Sequence, residues 1–238
     1  MTAPRGCFIL FEGVDRCGKT TQARLLCASL SAAASGAGAP SAVAMRFPDR
    51  ETAVGALINR YLTREVELDD AAVHLLFSAN RWEARAQLLR ALRGGADVVC
   101  DRYAYSGAAF TAAKGAAGLD LAWCKAPDAG LPAPDLILFM DLPPAAAAAR
   151  AGFGGERYET PALQAAVRAR FAALRDEVAA TAPGVWHDVD AAGTVEEVAA
   201  RIAPLVAAAR ARVRAGGDSG AVRTLWSGAP LEEPGPLN

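Results

Sequence analysis

The stretch EGVDRCGKTTQ, residues 12–22, sets Gly13, Gly18, Lys19 and Thr20 in the spacing GxxxxGKT. Few short patterns constrain a fold as tightly. The glycines let the backbone turn its N–H groups onto phosphate oxygens, an arrangement that needs a strand before the loop and a helix after it. The flanks meet that condition: residues 7–11 (CFILF) are an apolar run of strand length, and beyond Lys19 the residues Ala23, Leu26, Cys27 and Leu30 recur at helical spacing until the Ser35-Gly36 break. In such a loop Lys19 reaches the β- and γ-phosphates, the Thr20 hydroxyl faces magnesium, and the helix N-terminus adds partial positive charge, so the donor site is of the ATP kind. The pattern leaves its filler unexplained: an aspartate, Asp15, and an arginine, Arg16, stand in a loop that offers bare amides to an anion.

The same alternation continues along the chain. Residues 43–47 read as a second strand stopped by Pro48, followed by a helical run through Leu57, Ile58 and Tyr61. Asp69 and Asp70 open a long helix carrying Val73, Leu76, Phe77, Ala84 and Leu88, closed by Gly94-Gly95. Residues 97–100, 136–140 and 185–189 are the remaining strands, and helices over 161–180 and 195–213 flank the last of them. Strands alternating with helices predict an α/β fold of the P-loop NTPase type, a parallel sheet covered by helices on both faces. With 238 residues, 53% of them hydrophobic, the chain is long enough for one such domain, over residues 1–215. Residues 216–238 are rich in Gly and Pro and read as a flexible tail, with Leu225 and Trp226 docking back.

Composition narrows the partners. A formal charge of −1 leaves no electrostatic footprint for nucleic acid or anionic lipid. The first five residues are too short and polar to precede a signal sequence, and the apolar run after them is far below a membrane span, so the chain reads as untargeted and cytoplasmic. Five cysteines, with no CxxC pair, suit a reducing compartment, and two distant histidines offer no zinc site.

Asp101 ends the third strand, where folds of this kind hold a carboxylate toward the metal at the C-terminal edge of the sheet. The alternative is an N-cap for the segment that follows. Arg102 beside it favours the first reading, because a cap needs no guanidinium while a second phosphate does. Phe77 and Arg81 lie four apart on one helix face; without context the first reads as core and the second as an exposed charge. A GTPase switch would require an Asn-Lys-x-Asp signature, and none occurs.

FEGVDRCGKTTQ, RFPDR (residues 46–50), VHLLFSANRWE (73–83), DRYAYSGAAFTAAK (101–114), GLPAPDLILFMDL (130–142) and FGGERYE (153–159) resemble, in order, the motifs of eukaryotic thymidylate kinases. The resemblance spans residue 6 to about 213. It implies transfer of the γ-phosphoryl of ATP to dTMP, with magnesium, on a five-stranded parallel sheet with a mobile lid at about 150–160, in a homodimer. A neighbouring possibility is another pyrimidine nucleoside monophosphate kinase.

Residue by residue, the resemblance places Gly13, Val14, Asp15, Arg16, Cys17, Gly18, Lys19, Thr20 and Thr21 on ATP, with Arg150 on one face of the adenine and Ala191 and Ala192 on the other. It stacks Phe77 on thymine and has Arg81 donate to the base carbonyl, which admits O4 of thymine and rejects the amine of cytosine. Arg50 and Arg102 clamp the acceptor phosphate, and Asp15 takes the 3'-hydroxyl. Phe47, Ser106, Gly107, Phe110 and Tyr158 complete the acceptor site, although Phe47 and Phe110 read equally well as core. Thr20 and Asp101 hold magnesium, largely through water. The lid segment FGGERYE carries one arginine, Arg157, in a context that predicts pairing with Glu156 or Glu159. The transferred phosphoryl is then served by Arg16 from within the loop, so the catalytic set is Arg16, Lys19, Asp101 and Arg102. Cys17 departs from the family pattern by its size and predicts thiol sensitivity near the phosphates.

Overall fold

A computed structural model describes residues 4–32, 42–143, 146–147, 154–216, 221–227 and 231. Its frame is a five-stranded parallel sheet in the order β2-β3-β1-β4-β5. The strands are β1 (Phe8–Glu12), β2 (Ala42–Arg46), β3 (Asp97–Asp101), β4 (Leu136–Asp141) and β5 (Trp186–Asp190). Each lies within about one residue of its sequence reading. The three inner strands, FILFE, DVVCD and LILFMD, are buried almost throughout, which is why they read as apolar runs without alternation.

Alternate side chains sort onto the two faces. Phe8 and Leu10 of β1, Val98 and Cys100 of β3, and Ile137 and Phe139 of β4 share one core with α3 (Asp70–Arg93), α4 (Ala104–Ala113) and α6 (Pro161–Thr181). Ile9, Phe11, Val99, Leu138 and Met140 face the other, with α1 (Lys19–Ala32) and α7 (Val195–Arg214). The remaining helices are α2 (Ala53–Leu62), which packs on α3 through Ile58 and Tyr61, and the short α5 (Leu121–Lys125), continued by a 3-10 turn, Ala126–Asp128. Asp69 caps α3, accepting from the amides of Ala71 and Ala72, and Gly94 ends it. Leu88 corrects one sequence expectation. An excess of apolar positions on this helix, Leu75, Leu76 and Leu88 among them, suggests a second apolar face, but Leu88 is 1% exposed and belongs to the core, whereas Leu75 is 48% exposed.

Register positions the chemistry. Phe11 pairs with Asp101 and Glu12 with Phe139, so the glycine-rich loop leaves β1 between the C-terminal ends of β3 and β4. Part of the C-terminal segment docks: Val222 and Leu225 are buried, and Leu225 N–H donates to the Leu131 carbonyl at 2.7 Å. Most of the rest of that tail, the Ser35-Gly36 break, and Arg150 and Phe153 of the lid lie outside the described residues.

Candidate active site

The loop from Gly13 to Gly18 folds as its spacing requires. Gly13 has φ +139°, and a Cβ there would sit 2.8 Å from the Met140 carbonyl oxygen, so no other residue fits. Lys19 is buried, and its Nζ lies over the loop, donating to the Val14 carbonyl at 2.5 Å and to Cys17 Sγ at 3.4 Å. Cys17 itself is 1% exposed beneath the loop, which shields the thiol expected to be sensitive. Arg16 and Arg102 both adopt left-handed backbone, at φ 63° and 67°. For arginine that conformation is unfavourable, and strain of this kind persists where surrounding structure enforces it, commonly at functional sites.

Asp101 is 4% exposed and accepts from Thr20 Oγ1 at 2.5 Å, with Arg46 Nε 3.8 Å away. It does not cap the helix that follows. Glu12 does: its Oε1 accepts from the amides of Tyr103 and Ser106, each at 3.0 Å, and its Oε2 accepts from Ser106 Oγ at 2.5 Å. Burial pushes the Glu12 carboxyl up from its ordinary value, against the opposing pull of the Ser106 hydroxyl and the Arg102 charge. Ser106 Oγ and the Gly13 carbonyl in turn both accept from Arg102 Nη1 at 3.1 Å.

A cavity of about 540 Å³ opens over these groups. One end is lined by Arg16, Gly18, Lys19, Thr20, Thr21 and Asp101; the other by Phe47, Phe77, Arg81, Gly107 and Phe110; Asp15, Arg50, Arg102, Ser106 and Tyr158 complete it. Every residue assigned to the acceptor by resemblance therefore meets in one space. Phe77 is half-buried, lining that space while also packing against the cluster of Ile58, Tyr61, Leu62 and Val73, and Arg81 is 2% exposed, not a solvated charge. Phe110 lies under the Arg102 guanidinium, 5.3 Å from ring centroid to Cζ, and packs on Tyr158 at 5.6 Å. Ala191 and Ala192 lie away from this cavity, in the loop after β5, where Ala191 N–H donates to Asp141 O at 2.8 Å. That loop is tied to α1 by Gln22, whose side chain donates to Val195 O at 2.8 Å.

The arginines aimed at the cavity are each met by a carboxylate. Arg102 pairs with Asp15, Arg16 Nε with Glu159 Oε1 at 2.7 Å, and Arg50 Nη2 with Glu156 Oε1 at 2.7 Å. The predicted pairing of Arg157 within the lid does not occur. Arg157 points away, binding both carboxylate oxygens of Glu67 at 2.9 and 2.7 Å and the Tyr61 carbonyl at 2.8 Å. Glu156 and Glu159 are thereby released to the two cavity arginines. Burial acts to raise the Glu159 carboxyl, but hydrogen bonds from Arg16 and from the Glu156 backbone outweigh it, and the group lies below its ordinary value.

Sequence reasoning did not assign Glu12, Asn80, Asp128 or Gln164. Asn80 holds the Arg50 turn, accepting from Asp49 N–H at 2.8 Å and donating to Asp49 O at 3.0 Å. Gln164 clasps the loop, accepting from Asp15 N–H at 2.9 Å and donating to Asp15 Oδ2 at 2.6 Å. Asn80 and Glu12 stood inside recognised motifs; Gln164 and Asp128 carried no local signal.

A family model described as thymidylate kinase matches residues 11–202. Thymidylate kinase from Danio rerio is 48% identical over 198 residues, covering 83% of this chain and 88% of that protein. The Homo sapiens thymidylate kinase is 46% identical with the same coverage of both. The solved structure of thymidylate kinase from Candida albicans has a TM-score of 0.78 at 37% identity, over 90% of this chain and 95% of that chain. Thymidylate kinase from Ehrlichia chaffeensis, at 23% identity and a TM-score of 0.65, shares the fold.

Proposed function

The chain belongs to the thymidylate kinase family and is an ATP:dTMP phosphotransferase, and we propose that it transfers the γ-phosphoryl of ATP across the cavity described above. The observation that carries this reading is continuity: an aromatic end with one buried arginine runs directly into a glycine-rich phosphate loop rimmed by further arginines. A nucleoside monophosphate has the same polarity, an aromatic base at one end and a dianion at the other.

The loop amides and Lys19 hold the donor phosphates. Arg50 and Arg102 grip the acceptor phosphate in line, converting a collision of two anions into an oriented displacement. Asp15 accepts from the sugar 3'-hydroxyl, while Phe77 stacks on the base and Arg81 donates to its carbonyl. Arg16 meets the charge that develops on the transferred phosphoryl. Thr20 and Asp101, hard oxygen donors in mutual contact, fit magnesium, whose remaining ligands would be water and phosphate oxygens. Held there, it would supply positive charge to offset the negative charge of the donor phosphates. We place the product, dTDP, on the route to dTTP, and the enzyme in the cytoplasm; among the described residues no helix is long and apolar enough to cross a membrane.

Release of ADP with dTMP, dUMP, dCMP, dGMP and thymidine as acceptors tests the assignment. dTMP should lead. dUMP, lacking only a methyl, should follow by a margin of about 1–3 kcal/mol in kcat/KM. Thymidine should fail, because Arg50 and Arg102 would face no phosphate. Activity led by thymidine or dCMP would contradict the reading. Phe77→Ala should raise the dTMP KM about tenfold or more through loss of the stack, leaving the ATP KM in place. An unchanged dTMP KM would put the base elsewhere.

The homodimer is assigned to the exposed side of α3, where Leu75 and Trp82 stand 48% and 39% exposed. Light scattering at micromolar concentration should give twice the chain mass, and Leu75→Glu should lower it toward one. A monomer from the unaltered chain would refute this assignment.

A further inference from the structure

Arg81 enters the cavity from the middle of α3 with 2% of its side chain exposed. A guanidinium at that depth is costly to dehydrate and requires a partner. The partner is Asp128, last residue of the 3-10 turn Ala126–Asp128, which has no exposure at all. Contact is side-on: Nε donates to Oδ1 at 3.0 Å and Nη2 to Oδ2 at 2.6 Å. Oδ1 also accepts from Ser78 Oγ at 2.8 Å, one helical turn before Arg81, so α3 holds the carboxylate as well as the arginine. The turn bearing Asp128 is itself anchored, since Pro127 O accepts from Trp82 Nε1 at 2.8 Å.

This arrangement does two things to Arg81. It fixes the plane of the guanidinium and leaves Nη1 outside the Asp128 pairing. α4 then closes on the tip through Gly107, where an added Cβ would sit 2.8 Å from Nη2 and 3.1 Å from Nη1. It also cancels a charge. The arginines assigned to phosphates also have carboxylate partners, but those pairs are partly exposed and open to exchange, whereas the Arg81–Asp128 pair is buried on both sides, 2% and 0% exposed, and bidentate; without Asp128 the Arg81 guanidinium would be one more phosphate ligand at the wrong end. Paired with Asp128, it offers directed N–H donors without net charge, which suits a neutral base carbonyl.

We infer that Asp128 is a positioning residue for acceptor specificity: by orienting and neutralising Arg81 it makes that arginine a reader of the base carbonyl and keeps phosphates at the opposite end of the cavity. The inference rests on the reading of Arg81 given above. Thymine O4 meets a fixed donor edge, and the cytosine amine meets donor against donor. An arginine freed to swing would lose much of that discrimination.

Steady-state kinetics with dTMP and dCMP on Asp128→Asn, Arg81→Leu, their combination, and Gly107→Ala form the test. Asn keeps the size of the side chain but lacks the charge and one acceptor. Asp128→Asn should raise the dTMP KM about thirtyfold and lower the dTMP-to-dCMP preference about tenfold, with kcat within about threefold and the ATP KM unchanged. In the Arg81→Leu background the same substitution should add no more than about twofold, because its effect travels through that arginine. Gly107→Ala leaves both charges in place, sits in a helix that favours alanine, and should give the same signature by displacing the guanidinium tip; it carries the test if Asp128→Asn does not fold. Unaltered discrimination in whichever of these two variants folds, or additive effects in the double variant, would overturn the inference. If Arg81→Leu loses discrimination while Asp128→Asn keeps it, only the role of Asp128 falls. If Arg81→Leu itself keeps normal dTMP kinetics, the base reading has failed and this inference goes with it.

Discussion

Asp101→Asn is expected to lower kcat by about a hundredfold while the fold survives and both KM values move only a few-fold. The side chain is 4% exposed, yet its environment is polar: Thr20 Oγ1 at 2.5 Å and Arg46 Nε at 3.8 Å. Asparagine keeps the shape and can still accept from Thr20 through its amide oxygen, so no buried group is orphaned. What it loses is the negative charge at the C-terminal end of β3, and with it, under the function proposed above, the means to organise magnesium and the phosphate-facing arginines. Rates at saturating ATP and dTMP, taken across a magnesium titration, check this: the half-saturating magnesium concentration should rise as kcat falls. Full activity at unchanged magnesium demand would reduce Asp101 to a structural partner of Thr20. Asp101 is not a helix cap, since Glu12 accepts from the amides at the start of α4.

The frame of this enzyme is legible in its sequence because the inner strands are covered on both faces and so must be apolar at every position. FILFE, DVVCD and LILFMD could hardly be anything else. α4 is harder to read. Eight of its ten residues, AYSGAAFTAA, are buried, so no amphipathic period marks it out. Long-range polar pairing is harder still. Arg157 and Glu159 are neighbours in the chain, and proximity predicted a local pair. Glu159 instead reaches Arg16, 143 residues away, and Arg157 reaches Glu67, 90 away. Charge type shows that a residue seeks a partner, but only the fold decides which one arrives. Asp128 makes the same point from the other side. A single acid after a proline in KAPD looks like a surface turn, and it becomes the counter-ion of Arg81 only because α5 folds back on α3.

Arg16→Gly is expected to have the largest effect of any single substitution in the cavity outside Lys19: kcat down about a thousandfold or more, with modest change in either KM. Arg16 sits at φ 63°, a conformation that costs a non-glycine residue and suits glycine, so the change relieves strain and should leave the loop folded. The lost group is a guanidinium on the loop that holds the γ-phosphoryl, where charge develops only as the bond to the donor breaks. Removing it should therefore spare ground-state binding and raise the barrier. Arg157 cannot substitute for it, being turned out to Glu67 and the Tyr61 carbonyl. One complication is built into the site. Arg16 also pairs with Glu159 at 2.7 Å, and its removal strands a carboxylate beside the phosphates. A slow variant could then reflect repulsion by Glu159 and not the missing guanidinium. Arg16→Gly combined with Glu159→Gln separates the two. If the double variant stays about a thousandfold slow, Arg16 supplies the charge that the transition state needs. Recovery to near-normal kcat would mean instead that the task of Arg16 is to neutralise the lid carboxylate, and that Lys19 with the loop amides serves the phosphoryl group unaided.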